Sequence, residues 1–158
     1  MIFDVVVLLL VGYRGFAGSK HKKLESILLD FIKSRLESIG HAISGWWHVI
    51  RTQKNAWVHT AATLFVLFMA IWLRLPARDW AVLLLAVAIV WAAEFLNTAL
   101  EIVVDLASPE LHPMAKAGKD VGAAAVLIAA STAAVIGLLI MGPPLWIKIQ
   151  TLIDIATS

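Results

Sequence analysis

Three apolar runs, residues 58–75, 80–106 and 121–141, dominate the chain, and their lengths leave few ways to fold it. The hydrocarbon core of a bilayer is about 30 Å thick and takes roughly 20 residues of α-helix to cross. Every backbone N–H and C=O inside it needs an internal partner, so runs of this kind cross as helices. The first run is short but is bracketed by Trp57, Trp72 and Arg74 as interface anchors. The second is long enough to carry its last two turns past the lipid, and the third is expected to end at Gly142-Pro143-Pro144. A chain that is 61% hydrophobic with a mean hydropathy of +0.87 is too apolar for an ordinary soluble domain of 158 residues.

The connections are short, which argues for one compact membrane domain. A tight turn around Pro76-Ala77-Arg78-Asp79 makes the first two spans antiparallel neighbours, and the second connection carries Ser108-Pro109 and His112-Pro113, both poor helix continuations. Of the 13 Lys and Arg residues, eight precede the first span, two lie in the first turn, two in the Lys116–Lys119 region and one after the third span. That distribution, ten against three, puts the N-terminus and the second loop on the cytoplasmic side. The net charge of +2 is too weak a field to argue for nucleic acid, and the absence of cysteine excludes disulfides and thiolate metal sites.

Ahead of the spans, Leu24, Ile27, Leu28, Phe31, Ile32, Leu36, Ile39, Ile43, Trp46, Trp47 and Ile50 recur at helical spacing, with Lys33, Arg35 and Arg51 at other positions. Residues 24–56 therefore read as an amphipathic surface helix, expected to break near Gly40 or Gly45. Residues 1–23 form an N-terminal extension of unassigned role. Its apolar stretch from Ile2 is too short to span, and Gly12, Gly15, Gly18 and Lys20 do not have the spacing of a phosphate-binding loop. Residues 143–158 read as a C-terminal interfacial segment. The fold class expected is an all-α membrane protein with three transmembrane helices, over residues 57–142, plus the surface helix.

The second span carries the residues that its length does not require. Glu94, Asn97, Glu101 and Asp105 lie at offsets of three, seven and eleven, which brings all four to within about 60° of one helix face. A carboxylate near mid-bilayer costs about 2.5–3.5 kcal/mol on insertion scales, so a polar stripe on such a helix marks a functional site. At the start of the third span, Gly118 and Gly122 stand four apart and suit close helix packing, while Lys119 and Asp120 fall at the same end as Glu101 and Asp105. Lys119 has the alternative of snorkelling and Asp120 of capping a helix. Periodicity and charge alone reach a small membrane protein with a cytoplasm-facing polar site.

The parts nonetheless match the needs of phosphoryl transfer: a base for a hydroxyl proton, acidic oxygens for Mg²⁺, and a cation for phosphates. A lipid alcohol is the natural acceptor, since its hydroxyl rests at headgroup depth while its tail stays in lipid. The sequence Glu94-x-Leu96-Asn97-Thr98-Ala99-x-Glu101-x-x-Val104-Asp105-Leu106, followed by His112-Pro113-Met114-Ala115-Lys116-Ala117-x-Lys119-Asp120, resembles the prokaryotic diacylglycerol kinase and undecaprenol kinase family. The resemblance runs from about Leu36 to Met141, including Gly45 and the Asn55 and His59 pair. It implies a homotrimer that transfers the γ-phosphoryl group of Mg-ATP to a lipid hydroxyl. It further implies that Glu94 is the general base, Asn97 an active-site and substrate-binding partner, Glu101 a Mg²⁺ and ATP-site ligand, Lys119 a contact to ATP phosphates, and Asp120 part of the nucleotide site. Asp105 and His112 also match, with structural roles as a helix-end acid and a loop-shaping histidine as alternatives, and His59 reads as an interfacial histidine.

Where the family commonly has Glu, this chain has Gln53, followed by Lys54 and Asn55. A carbonyl oxygen remains for a metal or nucleotide contact, but one negative charge is gone. The motif forms lean toward undecaprenol as acceptor, with diacylglycerol as the alternative. A small oligomeric channel or ion-coupled transporter would also place Glu94, Asn97 and Glu101 along a buried face. It gives little reason for Lys119 and Asp120 beside them.

Overall fold

A computed structural model describes residues 18–110 and 112–157, and every regular element among them is an α-helix. In chain order these are α1 (Gly18–Thr52), α2 (Lys54–Trp72), α3 (Ala77–Ala107) and α4 (Pro113–Thr157). The last three are long and apolar enough to cross a membrane, as the three runs require. The chain divides into two units, Met1–Ser44 and Gly45–Ser158. Residues 1–17, with the short apolar stretch and most of the glycines weighed as a phosphate loop, lie outside the described residues.

α1 differs from expectation at both ends and in its middle. It begins at Gly18 rather than Leu24, ends at Thr52, and passes through Gly40 and Gly45 without a break. A helical glycine costs about 1 kcal/mol relative to alanine but still supplies its N–H, so the hydrogen-bond ladder survives. The exposed apolar side chains from Leu24 to Ile43 and the stacking of Arg35 over Phe31, 5.0 Å from the ring centroid, fit a helix with one greasy face and cationic flanks.

The break falls at Gln53, whose backbone is extended (φ −99°, ψ 118°), so that it precedes α2 as its N-cap. Its N–H still donates to Val49 O at 2.9 Å while its carbonyl accepts from Ala56 N at 3.2 Å. The chain therefore turns without abandoning its backbone bonds, and the Gln53 side chain is freed from both helices. Val49 and Ala56, either side of this joint, are buried against Trp91 of α3. Trp46 stacks on Trp91 at 4.8 Å, and the Trp91 indole donates to Thr63 Oγ1 at 3.1 Å. The end of α1, the start of α2 and the middle of α3 are thus clamped around one tryptophan.

α2 ends one turn before the expected boundary. Leu75 N donates to Ala70 O and Arg74 N to Ile71 O, with Arg74 at φ 54°, a Schellman closure in which an arginine takes the position glycine usually holds. Pro76 then caps α3, and Asp79 lies in its first turn where the helix dipole favours an acid. α3 supplies most of the core: Leu83, Ala86, Val90, Trp91, Glu94, Asn97 and Thr98 are buried. It packs mainly on α4 and to a lesser extent on α2.

The third span corrects the sequence reading. Rather than ending at Gly142, α4 continues through Pro143 and Pro144 to Thr157. Each proline removes one backbone donor, but the helix beyond is anchored elsewhere. Lys148 Nζ donates to Trp72 O at 2.7 Å and lies 4.4 Å from the Trp72 ring centroid. A cation on the last carbonyls of α2 satisfies an orphan acceptor and opposes the negative end of that helix.

Candidate active site

The polar stripe of α3 is assembled as its periodicity dictates, but its members have different surroundings. Glu94 is 1% exposed, Asn97 and Thr98 are also buried, and Thr98 Oγ1 donates back to Glu94 O at 2.9 Å. Facing Glu94 from the second turn of α2 is His59, with 3.7 Å between His59 Nε2 and Glu94 Oε2. That separation is an ion-pair distance but exceeds a hydrogen bond. Neither atom has a hydrogen-bond partner among the described residues. His59 stands in the second turn of α2, which begins at Lys54, and Glu94 opposite it is enclosed by protein.

About two helical turns toward the end of α3, Glu101 is held by two amides. Asn97 Nδ2 donates to Glu101 Oε1 at 2.9 Å and Gln53 Nε2 donates to Glu101 Oε2 at 3.1 Å. A carboxylate oxygen only accepts, which fixes both amides with their NH₂ groups toward it. The Asn97 carbonyl oxygen consequently turns toward α4, where it is buried without a hydrogen-bond partner among the described residues. Gly122 faces it, and a Cβ at that position would collide with Asn97 Oδ1 and stand 3.0 Å from Leu100 Cδ2. Of the Gly118 and Gly122 pair expected to pack, Gly122 alone makes the close approach, and it does so against a site residue, while nothing stands within 4 Å of the Gly118 Cβ position.

At the exposed end of the stripe, Lys119 Nζ reaches across from α4 to Asp105 Oδ1 at 2.7 Å. Asp120 points elsewhere and pairs with Lys116 at 3.1 Å, one turn back on its own helix. His112 precedes α4 and accepts from Met114 N–H through Nδ1 at 3.2 Å, with Pro113 in the first helical position where a missing N–H does no harm. The structure thus gathers Gln53, Glu94, Asn97, Glu101, Asp105 and Lys119 along one line, leaves Asp120 on an adjoining face, and gives His112 the work of starting a helix. His59 is the residue that sequence reasoning undervalued. It is a polar side chain in an apolar span, the same signal that singled out Glu94.

The donor set is one that Mg²⁺ accepts. Among the described residues no group of three or more His, Cys, Asp or Glu side chains could hold a metal ion. Magnesium needs no such cage, because it is commonly bound through one or two carboxylates together with substrate phosphates and water. Two amide hydrogen bonds leave about half of the lone-pair sites of Glu101 available, and the carbonyl oxygen of Gln53 is not used in its bond to Glu101. An apolar cavity of about 380 Å³ lies among α2, α3 and α4, with His59 and Thr63 as polar residues in a wall otherwise built from side chains such as Leu83, Ala86 and Ala130.

The sequence model of prokaryotic diacylglycerol kinase matches residues 40–141. The chain belongs to that family. It is 39% identical over 109 residues to the undecaprenol kinase of Bacillus subtilis, an alignment covering 69% of this chain and 89% of that one. It is 41% identical over 111 residues to a diacylglycerol kinase of Synechocystis, covering 70% and 63% of the two chains. The diacylglycerol kinase of Escherichia coli K12 is 37% identical over 83 residues, 48% of this chain and 68% of that one. Family membership, with three helices able to cross a membrane, makes the protein a membrane-embedded lipid kinase of the bacterial type that uses ATP. The polar line on α3 and both of its partners on α4 fall inside the matched region.

Proposed function

We propose that this kinase phosphorylates undecaprenol at the cytoplasmic face of a bacterial inner membrane, with Mg-ATP as phosphoryl donor, and that it works as a homotrimer. The observation that carries the reading is the single line from enclosed Glu94 through the amide-held Glu101 to the Asp105 and Lys119 pair. Eleven residues of helix rise about 16 Å, which leaves room for a chain of phosphates between a base at the shielded end and a cation at the open end. The similarity spanning 89% of the B. subtilis undecaprenol kinase supports that acceptor. The ten-to-three distribution of Lys and Arg supports the orientation, and family membership supports the trimer.

In the reaction, Glu94 takes the proton of the lipid hydroxyl as its oxygen forms a bond to the γ-phosphorus. The bond from that phosphorus to the β,γ-bridging oxygen breaks, and its electron pair leaves with ADP. Asn97 and Gln53 fix the direction of the Glu101 carboxylate, which with the Gln53 carbonyl would hold Mg²⁺. A magnesium ion held there would supply charge neutralisation on the phosphate oxygens. Lys119 gives one of its three N–H groups to Asp105 and keeps the others for phosphate, with Asp120 on the nucleotide side. Burial of Glu94 excludes water as a competing acceptor.

Transfer of ³²P from γ-labelled ATP to undecaprenol and to diacylglycerol, each in mixed micelles, tests the reading. Labelled undecaprenyl phosphate at the higher kcat/KM is expected, with Glu94→Gln lower by about 10²–10⁴-fold. A faster reaction with diacylglycerol would reverse the acceptor assignment. An active Glu94→Gln variant would remove Glu94 as base, and ion flux without labelled lipid would favour a channel.

A further inference from the structure

His59 and Glu94 present two enclosed polar atoms to one another at a distance that bonds neither. Their side chains are 13% and 1% exposed, and His59 Nε2 and Glu94 Oε2 each lack a hydrogen-bond partner among the described residues. Leaving two such groups unsatisfied is costly, and a polar contact longer than 3.5 Å calls for a third group that serves both. At 3.7 Å there is no space for an oxygen on the line between them, but an oxygen placed to the side reaches both at ordinary hydrogen-bond lengths. The approach is from the His59 side, whose ring forms part of the wall of the cavity among α2, α3 and α4, while Nε2 itself is enclosed and must be uncovered as the hydroxyl enters.

We propose that His59 and Glu94 form a clamp for the acceptor hydroxyl, in which the hydroxyl donates to Glu94 Oε2 and accepts from His59 Nε2–H. The inference rests on the kinase reading and adds to it a residue that binds the lipid alcohol. One group acting as both donor and acceptor satisfies both orphan atoms. It also fixes the direction of the O–H bond toward the base, leaving the second oxygen lone pair for phosphorus. Glu94 alone would accept the proton without fixing the rotation of the hydroxyl. The imidazole, carried on a different helix, supplies that second point of attachment. Trp91 lies edge-on to the His59 ring, with centroids 6.2 Å apart, and limits its rotation.

The full-length protein in mixed micelles is assayed as wild type, His59→Leu and His59→Gln, with KM measured separately for undecaprenol and for ATP. His59→Leu is expected to raise KM for undecaprenol and lower kcat, for a combined loss of about 10–100-fold, while KM for ATP stays within about twofold. Because a glutamine amide can put an N–H near the same place, His59→Gln is expected to recover most of the loss. Wild-type behaviour in His59→Leu overturns the clamp. So does an equal loss in both variants, or a rise in the KM for ATP as large as that for undecaprenol, since each marks His59 as structural. A wild-type protein that phosphorylates no lipid alcohol removes the kinase reading and the clamp together. An active wild type with an unaffected His59→Leu removes the clamp alone.

Discussion

Gly122→Ala tests whether the approach of α4 to α3 is what holds Asn97 on Glu101. The added methyl would overlap Asn97 Oδ1 and crowd Leu100 Cδ2, so either the helices separate or the Asn97 amide rotates. Overpacking of this kind costs about 1–3 kcal/mol, offset by up to about 1 kcal/mol from the better helix propensity of alanine. If Asn97 rotates instead, its 2.9 Å bond to Glu101 is lost, and a hydrogen bond to a charged group is worth about 1.5–3 kcal/mol. The two routes are alternatives, so a net destabilisation of about 1–2 kcal/mol is expected, with kcat/KM down about tenfold or more. Gly118→Ala, one turn earlier on the same helix, is the control: nothing stands within 4 Å of its Cβ position. It should be neutral or more stable by up to about 1 kcal/mol. Unfolding midpoints in mixed detergent and lipid kinase rates measure both. Indistinguishable behaviour of the two variants would refute the reasoning, because their helical contexts match and only their neighbours differ.

Gln53→Glu replaces the donor to Glu101 with a second carboxylate, so in metal-free buffer it should destabilise the protein by about 1–3 kcal/mol. Adding Mg²⁺ should then raise its unfolding midpoint by more than that of wild type, since site charge tunes cation affinity, and equal shifts would contradict the placement of Gln53 at the metal. Lys148→Met keeps the apolar stem but removes the cation from Trp72 O and from the Trp72 ring, and should cost about 1–2 kcal/mol of stability with KM for ATP unchanged. An unchanged unfolding midpoint would show that the helix beyond Pro144 needs no such anchor.

The membrane-crossing architecture was legible because it depends on composition summed over long windows, and three helices match the three apolar runs in order. Helix ends were less legible because they depend on single partners. Pro143 and Pro144 are reliable breakers only when the chain has somewhere else to go, and the Lys148 contact with α2 keeps the helix on course. Gly40 and Gly45 weaken a helix locally, but the break belongs to Gln53, where packing of Val49 and Ala56 on Trp91 settles the turn. No periodicity in one segment reports a contact made by another.

The same distinction separates the two halves of the site. Glu94, Asn97, Glu101 and Asp105 share α3, so their spacing places them together before any tertiary contact is known. His59, Gln53, Lys119 and Gly122 meet that line from other helices, and their roles depend on which atom arrives. Gln53 makes the point most sharply. As a sequence change from glutamate it reads as a lost charge, yet its Nε2 donates to Glu101, which an ionised carboxylate cannot do. With Asn97 donating to the other oxygen, Glu101 is oriented by neutral groups from two directions. Under the proposed Mg²⁺ role of Glu101, a glutamine at 53 gives that carboxylate a fixed direction where a glutamate would add charge, and Gln53→Glu in metal-free buffer weighs one against the other.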